Sequence, residues 1–290
     1  MLKVLSLFDW IACGLVALKR IWINPSHYFA SEIDPYAKYI AKRNNPELIH
    51  IWNVKKIKWE EYDIDLLIWW SPCQWFSFAG KQLNFNDPRS KLFFEYVRIL
   101  KEAKPKYFLL ENVVMKQERI NIISKELFWI KPIEINSNLV SAQNRRRLYW
   151  LGIRNEKWEY NQINISLPNN KWIKMRNIMQ SFVDKSYYLT IEQINSIKKR
   201  KSYQNPLKWI LLPQSKSPTL TARWAWEYHS WMILIWDKWK IRKLTPLECE
   251  RLQTLPDNYT AWVDNFQRYK MLGNWWTVDV IAHIFKSIIK

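Results

Sequence analysis

Glycine is nearly absent from this chain, and its scarcity coincides with an excess of tryptophan. The 290 residues include 4 glycines and 20 tryptophans, whereas an average chain of this length holds roughly 20 glycines. Several tryptophans stand where tight turns favour glycine, which tolerates positive φ and close backbone approach: Trp10, Trp69, Trp70, Trp236 and Trp239. We predict that most of the tryptophans are glycines in the natural protein, encoded by UGA codons that were read under the wrong genetic code.

The alternative is a protein that is genuinely rich in tryptophan, and UGG codons at all of these positions would show it. Trp150 and Trp276 are expected to be genuine tryptophans. The sequence leaves four further positions undecided: Trp59, Trp158, Trp172 and Trp262.

Cysteines and long apolar runs are scarce as well. The 3 cysteines, Cys13, Cys73 and Cys249, are too widely spaced for a disulfide framework, and no Cys-x-x-Cys or His pair predicts a metal site. Cys13 and Cys249 lie in predicted helices and are expected to be packing residues. No apolar run reaches the roughly 18 residues of a membrane span, and the N-terminus lacks the features of a signal peptide. These absences predict a cytoplasmic protein.

Acidic residues are too few to balance the basic ones. The chain has 45 Lys and Arg against 26 Asp and Glu, a formal net charge of +19. Such an excess favours a polyanion as partner, because basic side chains that face phosphates release counterions on binding. A lysine-rich proteome from an AT-rich genome is the alternative explanation. The charge therefore predicts a nucleic-acid partner and association with the nucleoid in a prokaryote or a phage-infected host.

The first 150 residues alternate predicted strands and helices. Short apolar runs indicate strands at 2–8, 27–33, 63–68 and 106–113, and helical spacing of apolar residues indicates helices at 11–20, 35–44 and 90–103. This alternation predicts an α/β fold with a Rossmann-like doubly wound sheet. Such sheets bind ligands at the carboxyl ends of their strands.

The regular alternation stops near residue 155 and helical periodicity returns from Leu244. Residues 155–240 are polar and irregular, which predicts a smaller domain of irregular or β-rich structure. We therefore expect a domain at 1–154, a second at 155–240, and a C-terminal segment at 241–290 that returns to the first.

Three motifs contain candidate catalytic residues. Cys73 follows a predicted strand directly in Ser-Pro-Cys-Gln, where a rigid loop would present a thiol at the edge of the sheet. Glu111 ends the next predicted strand on the same edge. Arg145 and Arg147 flank Arg146 just before another strand, and alternation predicts that they point to one side and Arg146 to the other. Taken singly, each motif is as well explained by an ordinary structural role.

In this order, the motifs resemble those of the cytosine-5 DNA methyltransferases over the whole chain. Residues 7–14, LFDWIACG, are similar to the family's Phe-x-Gly-x-Gly cofactor loop, with Trp10 in the place of a glycine. The SPCQ, ENV and QxRxR motifs follow, and LGNWWTVDVIAHI resembles the family's last motif. The short chain looks most similar to the Dnmt3-like branch, which includes phage and bacterial members. The resemblance implies a DNA (cytosine-5-)-methyltransferase with a class I S-adenosylmethionine-dependent fold, in which 155–240 is the target-recognition domain.

The resemblance also implies a cofactor site for S-adenosylmethionine. Phe8 would pack on the cofactor, Glu32 would bind the ribose hydroxyls, and Asn53 stands where the family usually has an Asp that contacts the adenine. The implied cofactor-binding residues are Phe8, Trp10, Ile11, Gly14, Glu32, Ile33, Asn53, Val54, Pro72, Asn274, Trp276 and Thr277.

The remaining implied roles concern the base and the DNA. Cys73 would be the nucleophile that attacks the target cytosine, and Glu111, Arg145 and Arg147 would complete the catalytic set. The implied contacts to double-stranded DNA are Gln74, Gln143 and Arg223, of which Arg223 is expected to contact phosphate. A restriction endonuclease could accompany the enzyme, and the sequence leaves the target sequence and the oligomeric state open.

Three other classes are compatible with parts of the sequence. A tRNA cytosine methyltransferase shares the motifs, but its usual Cys-Phe-Thr tripeptide is missing here. A catalytically silent DNA-binding relative would not need Cys73, Glu111 and Arg145. A nicotinamide-dependent dehydrogenase would carry a Gly-x-Gly-x-x-Gly turn, whereas the first turn here reads DWIACG.

Read as tryptophans, several residues depart from loops that the family builds from glycine. They are Trp10, Trp69, Trp70, Trp75 and Trp275. Each indole occupies space where the backbone should approach a ligand, so a chain that carries these rings is expected to bind S-adenosylmethionine poorly and to fold poorly.

Overall fold

The computed structural model describes most of the chain and divides it into two compact units. The described residues are 1–51, 54, 63–70, 90–199, 210–222 and 233–289. The first unit comprises 1–135, 146–167 and 281–290, and the second comprises 136–145 and 168–280. The chain therefore crosses from one unit to the other four times, whereas the domains expected from the sequence require two crossings. The boundaries of those expected domains stay a proposal.

A mixed sheet forms the centre of the first unit. Its strands are β1 (Lys3–Leu7), β2 (His27–Ser31), β3 (Ile49–Ile51), β4 (Leu66–Trp70), β5 (Tyr107–Val113), β6 (Ile133–Asn136), β7 (Arg146–Arg154) and β8 (Tyr160–Gln162). The helices that alternate with them are α1 (Cys13–Arg20), α2 (Pro35–Asn44), α3 (Ser90–Ala103) and α4 (Gln117–Glu126). This alternation confirms the predicted α/β class.

The strand order identifies the switch point of the sheet. The order is β3-β2-β1-β4-β5-β7-β6, and β8 pairs with β7. Strands β1 to β5 pair in parallel, whereas β7 runs antiparallel to β5. From β1 the chain first builds outward through β2 and β3 and then returns to add β4 and β5 on the other side. This switch point confirms the doubly wound arrangement, and such sheets bind ligands there.

Strand β4 is longer than the sequence predicted. A turn was expected at Trp69 and Trp70, and this prediction was wrong. The ladder continues through both residues, because Leu7 of β1 pairs with Trp69 and Trp70 pairs with Glu111 of β5. The Trp69 indole is fully buried and stacks on Tyr96 of α3 with ring centroids 5.1 Å apart.

Helix boundaries follow local backbone chemistry. Helix α2 begins as predicted, because the Asp34 carboxylate accepts from the backbone N–H groups of Tyr36 and Ala37 and Pro35 suits the first helical position. Helix α1 begins at Cys13, two residues later than predicted, because Ala12 has a left-handed backbone with φ 67°. The thiols of Cys13 and Cys249 are both free and buried, as expected of packing residues.

The second unit combines short helices with a three-stranded sheet. Its elements are α5 (Met175–Ile178), α6 (Ile191–Lys198), β9 (Ile210–Leu211), β10 (Leu234–Asp237), β11 (Lys240–Lys243), α7 (Pro246–Leu252) and α8 (Asn265–Gly273), and α9 (Val278–Ile288) leads out of it. Trp236 was expected to flank the hairpin turn, but it lies within β10 and pairs with Ile241. None of the helices in the described part of the chain is long and apolar enough to cross a bilayer.

A buried ionic cluster holds the end of this unit's hairpin to α7. Arg242 is fully buried; its Nε lies 2.6 Å from an Asp237 oxygen, and its two terminal nitrogens lie 2.8 and 2.7 Å from the Glu248 carboxylate. Glu248 also accepts from the backbone N–H groups of Gln180 and Thr245. One carboxylate thus ties three chain segments together.

Candidate active site

Five of the predicted site residues lie outside the described ranges. They are Asn53, Pro72, Cys73, Gln74 and Arg223. The structure places the remaining ones in two groups, one in each unit.

The first group gathers at the carboxyl ends of β1 and β2. Glu32 directly follows β2 and is buried, with an exposed fraction of 6%. One carboxylate oxygen accepts from Trp10 N–H at 3.0 Å, and the other accepts from Ile33 and Asp34 N–H at 2.7 and 2.8 Å. Burial raises the pKa of Glu32, and these three backbone donors partly offset the rise. Glu32 therefore joins the loop after β1 to the loop after β2.

The other predicted cofactor residues of the first unit differ in exposure. Phe8 is partly buried, with its ring centroid 6.2 Å from that of Trp69, and Ile11 is fully buried. Val54 is buried, whereas Ile33 is 81% exposed. Of these side chains, Ile33 and the partly buried Phe8 are accessible to a ligand, whereas Ile11 and Val54 are not.

Gly14 is required by packing. A Cβ at this position would lie 2.6 Å from the Tyr28 hydroxyl oxygen and 2.9 Å from a methyl carbon of Ile68. Gly14 therefore lets α1 lie close to the sheet, and the structure gives it no open approach of its own to a ligand.

Asp9 and Tyr28 belong to the same region, and the sequence analysis missed them. The Tyr28 hydroxyl donates to Asp9 at 2.7 Å, and both side chains are buried. Burial raises the pKa of Asp9 to about 7, with a smaller contribution from the nearby Glu32 charge. The residues are 19 positions apart, so only the pairing of β1 with β2 reveals the contact. The loop after β1 thus carries a buried carboxyl group whose pKa is raised to about 7.

The stability of the chain is expected to fall between pH 5 and pH 8 because of Asp9. The pKa of Asp9 is higher in the folded state, about 7, than in the unfolded chain. Below pH 7 the folded chain therefore keeps a proton that the unfolded chain has released, and stability decreases with rising pH until Asp9 also ionises in the folded chain. Asp9→Asn keeps an acceptor for Tyr28 and removes the charge. The variant should gain roughly 2 kcal/mol over the parent between these two pH values. Urea unfolding of both proteins at each pH measures the difference, and parallel pH profiles would contradict the account.

Glu111 and Arg147 form a buried ion pair in the first unit. Glu111 lies near the carboxyl end of β5 and its side chain is 1% exposed, while Arg147 near the start of β7 is 8% exposed. The Arg147 Nε lies 2.8 Å from a Glu111 carboxylate oxygen. The pairing register explains the contact, because Glu111 faces Tyr149 and Val113 faces Arg147, which puts both side chains on one face. The positive charge of the guanidinium stabilises the buried carboxylate.

Arg146 confirms the predicted alternation of the basic run. Its exposed guanidinium binds the Glu134 carboxylate, whereas Arg145 and Arg147 are buried. Arg145 belongs to the second unit, where its guanidinium donates to the Leu220 carbonyl at 3.0 Å. The two arginines of the QxRxR motif therefore have different partners.

Gln143 was predicted to contact nucleic acid, but the structure surrounds it with protein. It is fully buried; its carbonyl oxygen accepts from Leu220 N–H at 2.7 Å and its amide nitrogen donates to Leu252 and Gln253 oxygens at 3.3 and 3.2 Å. Both ends of the amide are thus used within the second unit. In the described structure Gln143 orders the segments around it.

The last predicted motif lies in the second unit as well. Trp276 and Thr277 are buried and Asn274 ends α8 as its half-buried C-cap. The preceding Gly273 approaches the chain at Thr221 so closely that a Cβ would lie 2.2 Å from the Thr221 carbonyl carbon. The motif therefore packs against residues 221–222 of the predicted target-recognition segment.

Gln253 connects this motif to Gln143, and the sequence gave no signal for it. Its amide nitrogen donates to the Leu272 carbonyl at 2.8 Å, and its side-chain oxygen accepts from Gln143 and from the Thr277 hydroxyl, both at 3.2 Å. Gln253 is fully buried. A glutamine at the C-terminal end of a helix, such as Gln253 after α7, is usually solvated, so only the tertiary contacts reveal its structural role.

Gln253→Glu is expected to destabilise the second unit strongly. The carboxylate cannot donate to the Leu272 carbonyl, so two oxygens would face each other and a charge would be buried. We expect a loss of about 2–4 kcal/mol of unfolding free energy. Gln214→Glu at an exposed position of the same unit is the control and should change stability by less than about 0.5 kcal/mol. Equal effects of the two changes in urea unfolding would contradict this role.

Comparison with known proteins decides the family. The family model for C-5 cytosine-specific DNA methylases matches residues 2–290. The chain belongs to this family. This C-5 cytosine methylase is 27% identical to the orphan methyltransferase M.SPRI of Bacillus phage SPR, over 99% of this chain and 97% of the relative. It is 33% identical to the type II methyltransferase M1.ScrFI of Lactococcus lactis subsp. cremoris, over 90% of this chain and 72% of the relative.

Solved structures support the fold of this methylase. It resembles the Entamoeba histolytica methyltransferase EhMeth with a TM-score of 0.78 and 20% identity, over 99% of this chain and 97% of that one. It also resembles the S. pombe Dnmt2 methyltransferase with a TM-score of 0.77 and 19% identity, over 98% and 97%. At this level of identity the likeness establishes the fold alone.

Proposed function

We propose that the chain transfers a methyl group from S-adenosylmethionine to C5 of a flipped-out cytosine in double-stranded DNA, with Cys73 as the nucleophile. The observation that carries the proposal is the buried Glu111–Arg147 pair at 2.8 Å near the carboxyl end of β5. An oriented carboxylate at this sheet edge is what a cytosine ring needs, because its exocyclic amine donates hydrogen bonds and its N3 accepts a proton.

Cys73 would act by covalent catalysis. The thiolate adds to C6 of the cytosine, a bond forms between Sγ and C6, and the electron pair moves toward C5. C5 would then take the methyl group from the sulfonium of S-adenosylmethionine, which would leave as the thioether S-adenosylhomocysteine. Loss of the C5 proton to a base would then reform the C5–C6 double bond and break the Sγ–C6 bond, which releases the thiolate. Arg145 would stabilise the negative charge that develops on O2. The cytosine must leave the stack for this chemistry, at a cost of a few kcal/mol.

The loops after β1 and β2 suit S-adenosylmethionine, which would supply the methyl group. An ionised carboxylate has about four acceptor positions, and backbone N–H groups use three of those on Glu32. The remaining acceptor position could take one ribose hydroxyl. Phe8, partly buried in the same loop region, could pack on the cofactor. In the second unit, Asn274, Trp276 and Thr277 are the proposed contributors.

DNA is favoured over tRNA as the substrate. The relatives M.SPRI and M1.ScrFI are named as orphan and type II methyltransferases, and the net charge of +19 suits a polyanion. Gln74 and Arg223 are the proposed DNA contacts, and residues 155–240 the proposed target-recognition region. A restriction endonuclease partner fits the type II relatives, whereas the orphan relatives fit an enzyme without one.

The covalent step can be tested by trapping it on DNA that contains 5-fluorocytosine. Fluorine at C5 cannot leave as a proton, so Cys73 should remain bonded to C6 once the methyl group has been transferred. We expect a protein–DNA complex that survives denaturation, requires S-adenosylmethionine and is absent with Cys73→Ser. The chain with Trp10→Gly should be assayed beside the parent.

The outcomes separate the candidate functions. An adduct with fluorinated tRNA and none with DNA would make tRNA the substrate. No adduct with either, from protein that binds S-adenosylmethionine, would indicate a catalytically silent relative and overturn the proposal.

A further inference from the structure

We infer that six positions occupied by tryptophan in this sequence are glycine in the natural protein, because their backbone is left-handed. Non-glycine residues with positive φ are uncommon, and bulky ones are outliers. The φ values of Trp10, Trp22, Trp129, Trp158, Trp172 and Trp239 lie between 54° and 68°. None of the glycines in the described ranges has a positive φ. Tryptophan accounts for six of the fourteen non-glycine residues with positive φ in the described ranges, a large share of a backbone conformation that usually favours glycine.

Trp22 lies just beyond the end of a helix, at a position that strongly favours glycine, and Trp129 lies one residue farther beyond the end of another helix. After α1, Trp22 N–H donates to the Lys19 carbonyl at 3.1 Å and Ile23 N–H donates to the Leu18 carbonyl at 3.0 Å. This pair of bonds defines a Schellman motif, in which Trp22 holds the left-handed position that is usually glycine. After α4, the corresponding left-handed position is held by Phe128, with φ 58°; the next residue, Trp129, has φ 61° and donates its N–H to the Ser124 carbonyl at 2.7 Å.

Two others lie in the turns of hairpins. Asp237 pairs with Lys240, so Lys238 and Trp239 form a two-residue turn with φ 47° and 68°. Two positive φ values in such a turn are the mark of type I′, which favours glycine at its second position. Trp158 has φ 65° at the end of the β7–β8 turn, where its N–H donates to the Asn155 carbonyl. A left-handed residue that follows a turn in this place is commonly glycine.

The exposure of the rings agrees with the backbone. The indoles at five of the positions are largely exposed, with exposed fractions of 62% to 92%: Trp22, Trp129, Trp158, Trp172 and Trp239. Of these, the Trp158 ring is covered on one face by the Arg154 guanidinium, whose central carbon lies 3.9 Å from the ring centroid. Trp150 differs in every respect, since it lies in β7, is fully buried and donates from Nε1 to the Ser124 hydroxyl at 2.9 Å. A genuine tryptophan therefore looks different in this chain. The contrast also assigns Trp158 and Trp172, which the sequence alone left undecided, to glycine.

The remaining position, Trp10, lies in the loop after β1, with φ 57°. Its N–H donates to Glu32, so glycine at this position would keep the hydrogen bond and relieve the backbone. A single cause, UGA codons that the source organism reads as glycine, accounts for all six positions and for the count of 4 glycines in 290 residues.

The codons and the natural protein test the inference directly. We expect UGA at all six positions and UGG at Trp150, and tryptic peptides of the natural protein with the mass of glycine at the six. UGG at the six positions, or peptides with the mass of tryptophan there, would overturn it.

Stability provides a second, independent readout. The chain as written should be compared with a version in which all six tryptophans are changed to glycine and a version in which they are changed to alanine. Left-handed backbone disfavours any residue with a Cβ, so each glycine should raise the folded-to-unfolded ratio by a factor of about 5. The glycine version should melt roughly 10 °C higher than the parent, and the alanine version clearly below the glycine version.

Trp150→Gly is the matched control. It should lower the melting temperature, because it empties a buried site and leaves the Ser124 hydroxyl without this donor. Equal melting temperatures of the glycine and alanine versions would refute the argument from backbone conformation. A glycine version with a lower melting temperature than the parent would refute the inference itself, whatever the codons show.

Discussion

Glu111→Gln is expected to lower kcat for methyl transfer by at least about a hundredfold, the usual contribution of a positioned acid–base group. The substitution preserves the shape of the side chain and removes the charge that Arg147 holds at 2.8 Å. An amide can accept from the exocyclic amine and donate to N3, but it cannot ionise or transfer a proton to the ring. Affinity for S-adenosylmethionine should change little, because Glu32 and not Glu111 is proposed to bind the cofactor.

The chain offers a matched control on the neighbouring strands. Glu134→Gln removes the carboxylate that binds the exposed Arg146, in a pair of the same chemistry one residue away from Arg147. Its kcat should stay within about twofold of the parent, since exposed pairs contribute little. If both changes lower kcat equally, or if Glu111→Gln leaves it intact, the catalytic role of Glu111 fails.

Arg242→Met is expected to destabilise the second unit by about 3–5 kcal/mol, the usual cost of breaking a buried ion pair by removing one partner. Arg242 is fully buried and neutralises both Asp237 and Glu248. Without it, two carboxylates would remain in a site with little water.

Arg251→Met tests whether burial is the cause. Arg251 makes an ion pair of similar geometry with Asp257, but both side chains are partly exposed, at 31% and 46%. We expect a loss of less than about 1 kcal/mol there. Adding Asp237→Asn and Glu248→Gln to Arg242→Met should restore part of the stability. Urea unfolding measures all four proteins, and equal losses for the two arginines would contradict the explanation.

Local patterns predicted the scaffold well because strands and helices are specified by short periodicities. Helices α2 and α3 have the bounds that apolar spacing and the Asp34 cap indicate. The alternation of Arg145, Arg146 and Arg147 was also predictable, since a strand places neighbouring side chains on opposite faces. The alternation of strands and helices was sufficient to predict the doubly wound sheet.

The contacts that organise the site were less predictable because they join distant parts of the chain. Gln143 and Gln253 are 110 positions apart, and nothing local distinguishes either from a solvated glutamine. Trp69 was expected in a turn because its neighbours resemble a glycine loop, whereas pairing with β1 keeps it in β4. The position of Trp69 depends on strand pairing, and the roles of Gln143 and Gln253 depend on their burial between distant segments of the chain.

Transfer of labelled methyl groups from S-adenosylmethionine to unmethylated duplex DNA tests the central claim most directly. The enzyme should carry glycine at the six left-handed positions, Cys73→Ser should serve as the blank, and tRNA should be offered in parallel. The account predicts label in DNA that is absent from the blank and from tRNA. Cofactor binding without transfer to DNA would contradict it.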